Sequence, residues 1–290
     1  MKKFFFAACA ALALTACSDV TDEVAVVSRV PISVEVYTQG NVRAAYTPTT
    51  TATLTSFNLK ISSGTGANDI NEEVTVTKDN NGSWTMSENI YWPLEASKVV
   101  SFIAYTGTAT GNILNTFTSD IVVATASQAS SAGTTVALNF GHILSDVAIT
   151  TKCGTSGYSI NLTAFSIKPS VETFVDQYNL STSTWTSSNG TPTSLYTLAN
   201  PLTVTDDGVS IIDKSILAVP QSYDISATFT VTDSNGNTDS APRTRTGSFS
   251  LVAGTQNIIE ITLPTDLATM SVSATVTAWD APETNQVPLN

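Results

Sequence analysis

Short runs of alternating apolar and polar residues recur along most of the chain and determine its predicted architecture. In residues 53–61, for example, Phe57, Leu59 and Ile61 fall on one side of an extended chain. This period of two predicts β-strands with one buried face. Residues 99–105 are apolar almost throughout and predict a central strand. No segment after residue 16 carries a sustained apolar pattern at helical spacing, so the chain is predicted to be all-β.

Turn signals separate these runs and divide them into two groups. Asn81-Gly82 and Asn235-Gly236 lie in polar stretches that favour tight hairpins. The first group of strands ends near Phe140. The second group comprises residues 143–151, 159–167, 178–180 with Trp185, 215–219, 225–232, 247–251, 258–263 and 272–279. We therefore predict two β-sandwich domains, residues 44–141 and 142–290, with an exposed loop at 128–135.

The N-terminus has the form of an export signal. Met1-Lys2-Lys3 precedes an apolar segment that is about half as long as a membrane-spanning helix. Leu14-Thr15-Ala16-Cys17 resembles the lipobox of bacterial lipoproteins, in which the cysteine becomes the acylated first residue. The resemblance assigns residues 1–16 to a lipoprotein signal peptide and implies lipidation of Cys17.

One strand-like run lies between this signal and the first predicted domain. Ile32, Val34 and Val36 alternate with polar residues and share one face. Arg43-Ala44 follows the run and offers a basic cleavage position that would separate it from the rest of the chain. We interpret residues 17–43 as a lipidated leader that carries a removable first strand.

The charge of the chain limits the partners that it can bind. The formal net charge is −12, and only 12% of the residues are charged. An acidic surface argues against nucleic acid as a partner, because nucleic-acid binding needs clustered Lys and Arg.

Cys9 lies in the signal and Cys17 takes the lipid, so Cys153 is left as the single thiol and no intramolecular disulfide is expected. We predict that Cys153 is a small buried apolar side chain.

Candidate catalytic and metal-binding residues are few. His142 is the only histidine, and Ser145 and Asp146 lie too close to it on one predicted strand to form a Ser-His-Asp triad. One histidine and one cysteine are too few ligands for zinc, and residues 233–239 lack the glycine position and the distal Glu of a calcium loop. The sequence predicts a structural His142 at the domain junction, no enzymatic activity, no metal and no cofactor.

Five stretches resemble, in the expected order, the fimbrillin-like lipoproteins of Bacteroidales, which are the subunits of type V pili. They are Tyr91-Trp92-Pro93 with VSFIAY at 100–105, LNFGHILSDV at 138–147, YNLSTSTW at 178–185, LAVPQ at 217–221 and VTAW at 276–279. Ser183 stands where the family usually has glycine. The ordered set, together with the lipobox, makes the resemblance specific.

The resemblance implies two tandem transthyretin-like Greek-key β-sandwich domains. It also implies a fimbrial subunit that reaches the outer membrane surface as a lipoprotein. An Arg- or Lys-specific protease would then cut between Arg43 and Ala44 and remove the leader strand. Another subunit, identical or different, would supply a donor strand from its C-terminal end, either from residues 272–279 or from the tail 283–290. The polymer would support adhesion to a host or bacterial surface ligand.

A second interpretation stays open from the sequence. Exposed aromatic residues stack on sugars, so the chain is alternatively a monomeric surface lipoprotein that binds a glycan or host ligand. The four tryptophans lie in strand-like or hairpin contexts, where core packing is the commoner role. Asp239-Ser240-Ala241 resembles the O-glycosylation sequence of this bacterial phylum, which makes Ser240 a candidate modification site.

Overall fold

A computed structural model of the chain describes residues 29–38, 49–66, 69–132, 135–266 and 270–278. The described residues form β-strands joined by turns, with two short 3-10 turns at Ser130–Ala132 and Val171–Thr173. The all-β prediction is confirmed. Within the described ranges, no helix has the length and apolar character needed to cross a membrane.

The first half of the chain forms one sheet of seven strands. Its strands are β1 (Ser33–Thr38), β2 (Ser56–Ser62), β3 (Asn71–Lys78), β4 (Trp84–Met86), β5 (Val99–Tyr105), β8 (Val122–Ala129) and β9 (Thr135–His142), with β6 (Ala109–Thr110) and β7 (Ile113–Leu114) outside this sheet. The order across the sheet is β1-β9-β8-β5-β2-β3-β4. The strand predicted to be central, β5, is the middle strand. The two end strands, β1 and β4, contact each other, so the sheet folds over its own apolar face.

The core of this first sandwich comes from alternate positions of its strands. Phe57, Leu59 and Ile61, predicted to share a face, are all buried in it. Phe57 packs edge-on against Phe140 with ring centroids 5.0 Å apart. The predicted loop at 128–135 is shorter than expected, because β8 continues to Ala129 and β9 begins at Thr135.

The second half builds two further sheets. Its strands are β10 (Ser145–Cys153), β11 (Ser159–Pro169), β12 (Gln177–Asn179), β13 (Thr184–Thr186), β14 (Tyr196–Thr197), β15 (Leu202–Val204), β16 (Val209–Ala218), β17 (Ser222–Thr232), β18 (Arg243–Ser250), β19 (Thr255–Leu263) and β20 (Ser271–Ala278). The second sheet has the order β16-β10-β19-β20, and the third has the order β14-β11-β17-β18. Their facing apolar residues form one core, in which Cys153 is buried as predicted.

A small junction sheet, β13-β12-β7-β6, joins the two halves. Tyr178 of β12 pairs with Leu114 of β7, so the YNLSTSTW hairpin belongs to this sheet and not to the second sandwich, where the sequence pattern had placed it. Tyr178, Leu114 and Leu144 share a separate apolar cluster at the junction. Strands of two residues, such as β6 and β7, are too short for the alternation of apolar and polar residues to reveal them, so the sequence did not show that the hairpin pairs with β7.

The two predicted Asn-Gly turns are present. Asp233 and Asn237 close the second turn through a backbone hydrogen bond of 2.9 Å, with Gly236 at a φ of 84°. The Asp233 carboxylate accepts hydrogen bonds from the backbone amides of Asn235 and Asn237 and from the Asn237 side chain. The Asn237 contacts, foremost among these bonds, hold the pKa of Asp233 below its usual range. These local bonds hold the turn closed.

Candidate functional site

The leader strand β1 lies at an edge of the first sheet and is held on two sides. It pairs in parallel with β9, in a register from Ser33–Thr135 to Thr38–Phe140. On its other side the chain just before it bonds to the segment around Trp92. There the Ile32 amide donates to the Ile90 carbonyl at 2.8 Å, and the Trp92 amide donates to the Val30 carbonyl at 3.0 Å. The leader therefore fills a slot between β9 and residues 90–92.

One face of the leader is buried in the first core. Ile32, Val34 and Val36 are 6%, 8% and 8% exposed, and they belong to the same apolar cluster as the inward residues of β9. The intervening residues face solvent. On that face the Tyr37 hydroxyl donates to the Glu35 carboxylate at 3.0 Å, and this bond raises the pKa of Tyr37.

Strand β9 depends on the leader for most of its ladder. Its pairing with β8 is confined to Val122–His142 and Val123–Gly141, whereas β1 pairs with residues 135–140. Loss of β1 would therefore leave the backbone of β9 without its ladder partner over six residues of this edge.

The chain on both sides of the predicted cleavage position is anchored. Thr38 Oγ1 and Thr51 Oγ1 are 2.7 Å apart, and the Thr49 amide donates to Asp120 Oδ2 at 2.7 Å. Asp120 Oδ1 lies 2.9 Å from His142 Nδ1, and these two side chains are 2% and 0% exposed. Arg43, Ala44 and Cys17 lie outside the described residues.

His142 is thus bonded to a residue that the sequence analysis missed. Asp120 is 22 positions away along the chain, and no local motif links the two. The prediction that His142, Ser145 and Asp146 share one strand is wrong. Ser145 and Asp146 begin β10, whereas His142 ends β9. The Ser145 hydroxyl donates to the Val252 carbonyl at 2.7 Å. No group of three or more His, Cys, Asp or Glu side chains in the described ranges could hold a metal ion.

The C-terminal strand β20 is an edge strand with little burial. It pairs antiparallel with β19, so that Val272, Ala274 and Val276 lie on the same side as the buried Ile259 and Ile261. Val276 is nevertheless 47% exposed. Most of the apolar face of β20 therefore projects past the cover that the third sheet provides. Trp279 and the tail 283–290 lie outside the described residues.

The candidate glycosylation residue lies on an accessible bend. Ser240 is exposed. The side chain of the preceding Asp239 is fixed by two hydrogen bonds. Its carboxylate accepts one from Arg243 at 2.7 Å and one from the Val231 amide at 3.0 Å. The hydroxyl is therefore presented to solvent beside a fixed acidic residue.

Comparison with known proteins identifies the family. The fimbrillin-like family model matches residues 43–279, and the chain belongs to this family. The match begins at Arg43 and leaves the leader strand outside it. No curated protein matches the chain significantly.

Solved structures share the fold. A fimbrial protein from Bacteroides vulgatus is 17% identical, with a TM-score of 0.57 over 86% of this chain and 99% of that chain. A candidate cell adhesion protein from Parabacteroides distasonis is 8% identical, with a TM-score of 0.57 over 87% of this chain and 97% of that chain. At these identities the likeness concerns the fold alone.

Proposed function

We propose that this chain is a structural, non-enzymatic subunit of a type V fimbria that polymerises by donor-strand exchange. The observation that carries the proposal is the leader strand. It fills an edge slot of the first sheet, contributes three side chains to the core, and precedes the region that the fimbrillin-like family model covers. A strand in this position can be exchanged for one from another subunit.

The energetics favour replacement of the leader strand by another strand over its simple loss. Burial of each aliphatic side chain contributes about 1.5–3 kcal/mol, so Ile32, Val34 and Val36 together contribute roughly 5–9 kcal/mol. That sum is comparable with the whole stability of a domain, about 5–15 kcal/mol. A clipped subunit would also expose the unpaired edge of β9. Such a subunit is strongly driven to accept a replacement strand.

Of the two C-terminal candidates, β20 is the better donor. Val272, Ala274 and Val276 repeat the period of two seen in the leader, and this apolar face is poorly covered in its own subunit. Release of β20 therefore costs little burial, whereas its insertion beside β9 of a neighbour buries the uncovered face. A head-to-tail contact of this kind does not close on itself and so builds a filament.

In the proposed assembly route, the leader is first lipidated and then removed. Lipidation at Cys17 would anchor the exported chain in the outer membrane, since two or more acyl chains give a stable anchor. An Arg- or Lys-specific protease would then cut between Arg43 and Ala44. The partners are other pilus subunits, identical or different, and the assembled fimbrium supports adhesion at the cell surface.

Trypsin treatment of the purified chain tests the exchange. We expect a new N-terminus at Ala44 by mass spectrometry, followed by oligomers that survive mild denaturant. Arg43→Ala should stay uncut at this position and monomeric. A clipped chain that remains a monomer with unchanged stability would contradict the proposal and favour a monomeric surface receptor.

A pair of variants in β20 tests the donor. Val276→Asp and Thr275→Asp both place a charge at an exposed position of the unassembled subunit, but only the first would carry it into the acceptor slot. We expect Val276→Asp to block oligomers and Thr275→Asp to form them. Equal assembly of both variants would exclude β20 as the donor while leaving cleavage-dependent assembly intact.

A further inference from the structure

A crevice opens at the junction of the two halves. It has a volume of about 660 Å³ and lies between the outer face of β8 and β9, the β12–β13 hairpin and the loop before β19. We name it the junction crevice. Its walls include Tyr37, Asn139, Tyr178, Ser183 and Trp185. The volume falls within the range of small-molecule sites, about 300–1,000 Å³.

The chemistry of the lining is uncharged and amphipathic. No Asp, Glu, Lys or Arg among the described residues lines the junction crevice. His142 also lines it, and its Nδ1 is engaged by Asp120. The lining offers aromatic faces together with hydroxyl and amide groups. This combination suits a ligand with C–H faces and many hydroxyls and does not suit a phosphate, sulfate or carboxylate group.

The aromatic wall is rigid. The Trp185 ring packs against Phe117, with centroids 5.0 Å apart, and against Tyr178, with centroids 5.2 Å apart. The ring therefore belongs to the junction core, while part of the residue stays accessible at the crevice. A fixed aromatic side chain presents a contact surface at a low cost in conformational entropy.

Ser183 adds a hydroxyl at a conformational cost. It adopts a φ of 54°, in the left-handed region that is uncommon for residues other than glycine. Burial raises the pKa of the neighbouring Tyr178, and hydrogen bonding from Ser183 opposes that rise. Glycine would adopt this conformation freely, whereas serine adopts it with backbone strain, and such strain is frequent at functional sites.

We propose that the junction crevice binds a short neutral oligosaccharide. The sugar rings would stack on the aromatic wall, and Asn139 and Ser183 would bond to sugar hydroxyls. The inference concerns the uncleaved subunit and does not depend on strand exchange. If exchange occurs as proposed above, the wall formed by Tyr37 departs with the leader and the incoming strand replaces it.

Gly141 offers a clean means of blocking the site. A Cβ added there meets no heavy atom within 4 Å, because the residue borders the open crevice. Gly141→Trp should therefore fill the crevice without disturbing the core. Ala137→Trp is the matched control, since Ala137 is exposed on the same face of β9 but does not line the crevice.

The test applies the uncleaved chain to an array of neutral oligosaccharides and their sialylated counterparts, followed by calorimetric titration of the best neutral sugar. We expect retention of neutral sugars, a loss of affinity of about tenfold or more in Gly141→Trp, and a change below about twofold in Ala137→Trp. Ser183→Gly should weaken binding without lowering the melting temperature. The proposal is overturned if no neutral sugar is retained, if only sialylated sugars bind, or if Gly141→Trp binds as well as the parent. Self-association that Gly141→Trp abolishes, without sugar binding, would instead assign the crevice to a second copy of the chain.

Discussion

Truncation of the buried face of the leader strand should destabilise the uncleaved subunit. Val34→Ala with Val36→Ala removes two methyl groups at each of two buried positions. At about 0.8 kcal/mol for each buried methyl or methylene group, the loss is about 3 kcal/mol. Residual cavities add to this value, whereas relaxation of an edge strand reduces it. We expect a total between about 2 and 4 kcal/mol.

The matched control truncates the exposed face of the same strand. Ser33→Ala with Glu35→Ala should change the unfolding free energy by no more than about 0.5 kcal/mol per site. Urea unfolding followed by tryptophan fluorescence measures the difference, because Trp92 shares the core with the leader. With a slope of about 1–3 kcal/mol/M, a loss of about 3 kcal/mol should lower the urea midpoint by about 1–3 M, in the valine variant only. Equal shifts in both variants, or none in either, would refute the claim that the leader completes this core.

Three further outcomes follow from other contacts. Burial raises the pKa of Tyr223 to about 12, so its stabilising contribution is complete below pH 10 and is lost as the pH rises to 12. Between pH 10 and 12 the unfolding free energy of the parent chain should therefore fall by up to about 3 kcal/mol because of Tyr223, and Tyr223→Phe should lack this fall. Urea midpoints measured across that pH window give the difference. Asp120→Ala leaves the buried His142 without the carboxylate that bonds to its Nδ1 and should cost about 1–3 kcal/mol in urea unfolding; an unchanged midpoint would contradict this. A Cβ at Gly247 would lie 3.0 Å from Val272, so Gly247→Val should loosen β20 and speed its hydrogen exchange, and an unchanged rate would show that this contact does not hold β20.

Alternation located strands well wherever it continued over several residues. The bounds predicted for the central strand, residues 99–105, are those of β5, and the leader run became β1. The pattern failed where one face of an edge strand is polar. Strand β18 begins at Arg243 and not at residue 247, since Arg243 and Arg245 alternate with threonines and carry no apolar signal.

The sequence did not reveal which strands pair with each other. Alternation indicates which face of β1 is buried, but not that its neighbour is β9, about 100 residues further on, or that the pairing is parallel. The same limit applies to the bond between Asp120 and His142 and to the junction crevice. These contacts depend on how distant segments meet, and a local pattern does not encode that meeting.

Hydrogen–deuterium exchange in β9 tests the central claim most directly. The amides among residues 135–140 that point toward β1 should be protected in the uncleaved subunit, because β1 pairs with this stretch. They should become exchangeable on cleavage after Arg43, and protected again in the oligomers that follow. Protection that persists in the clipped monomer, or exchange that continues in the oligomer, would contradict the account, because either result would mean that no strand from a neighbour takes the place of the leader.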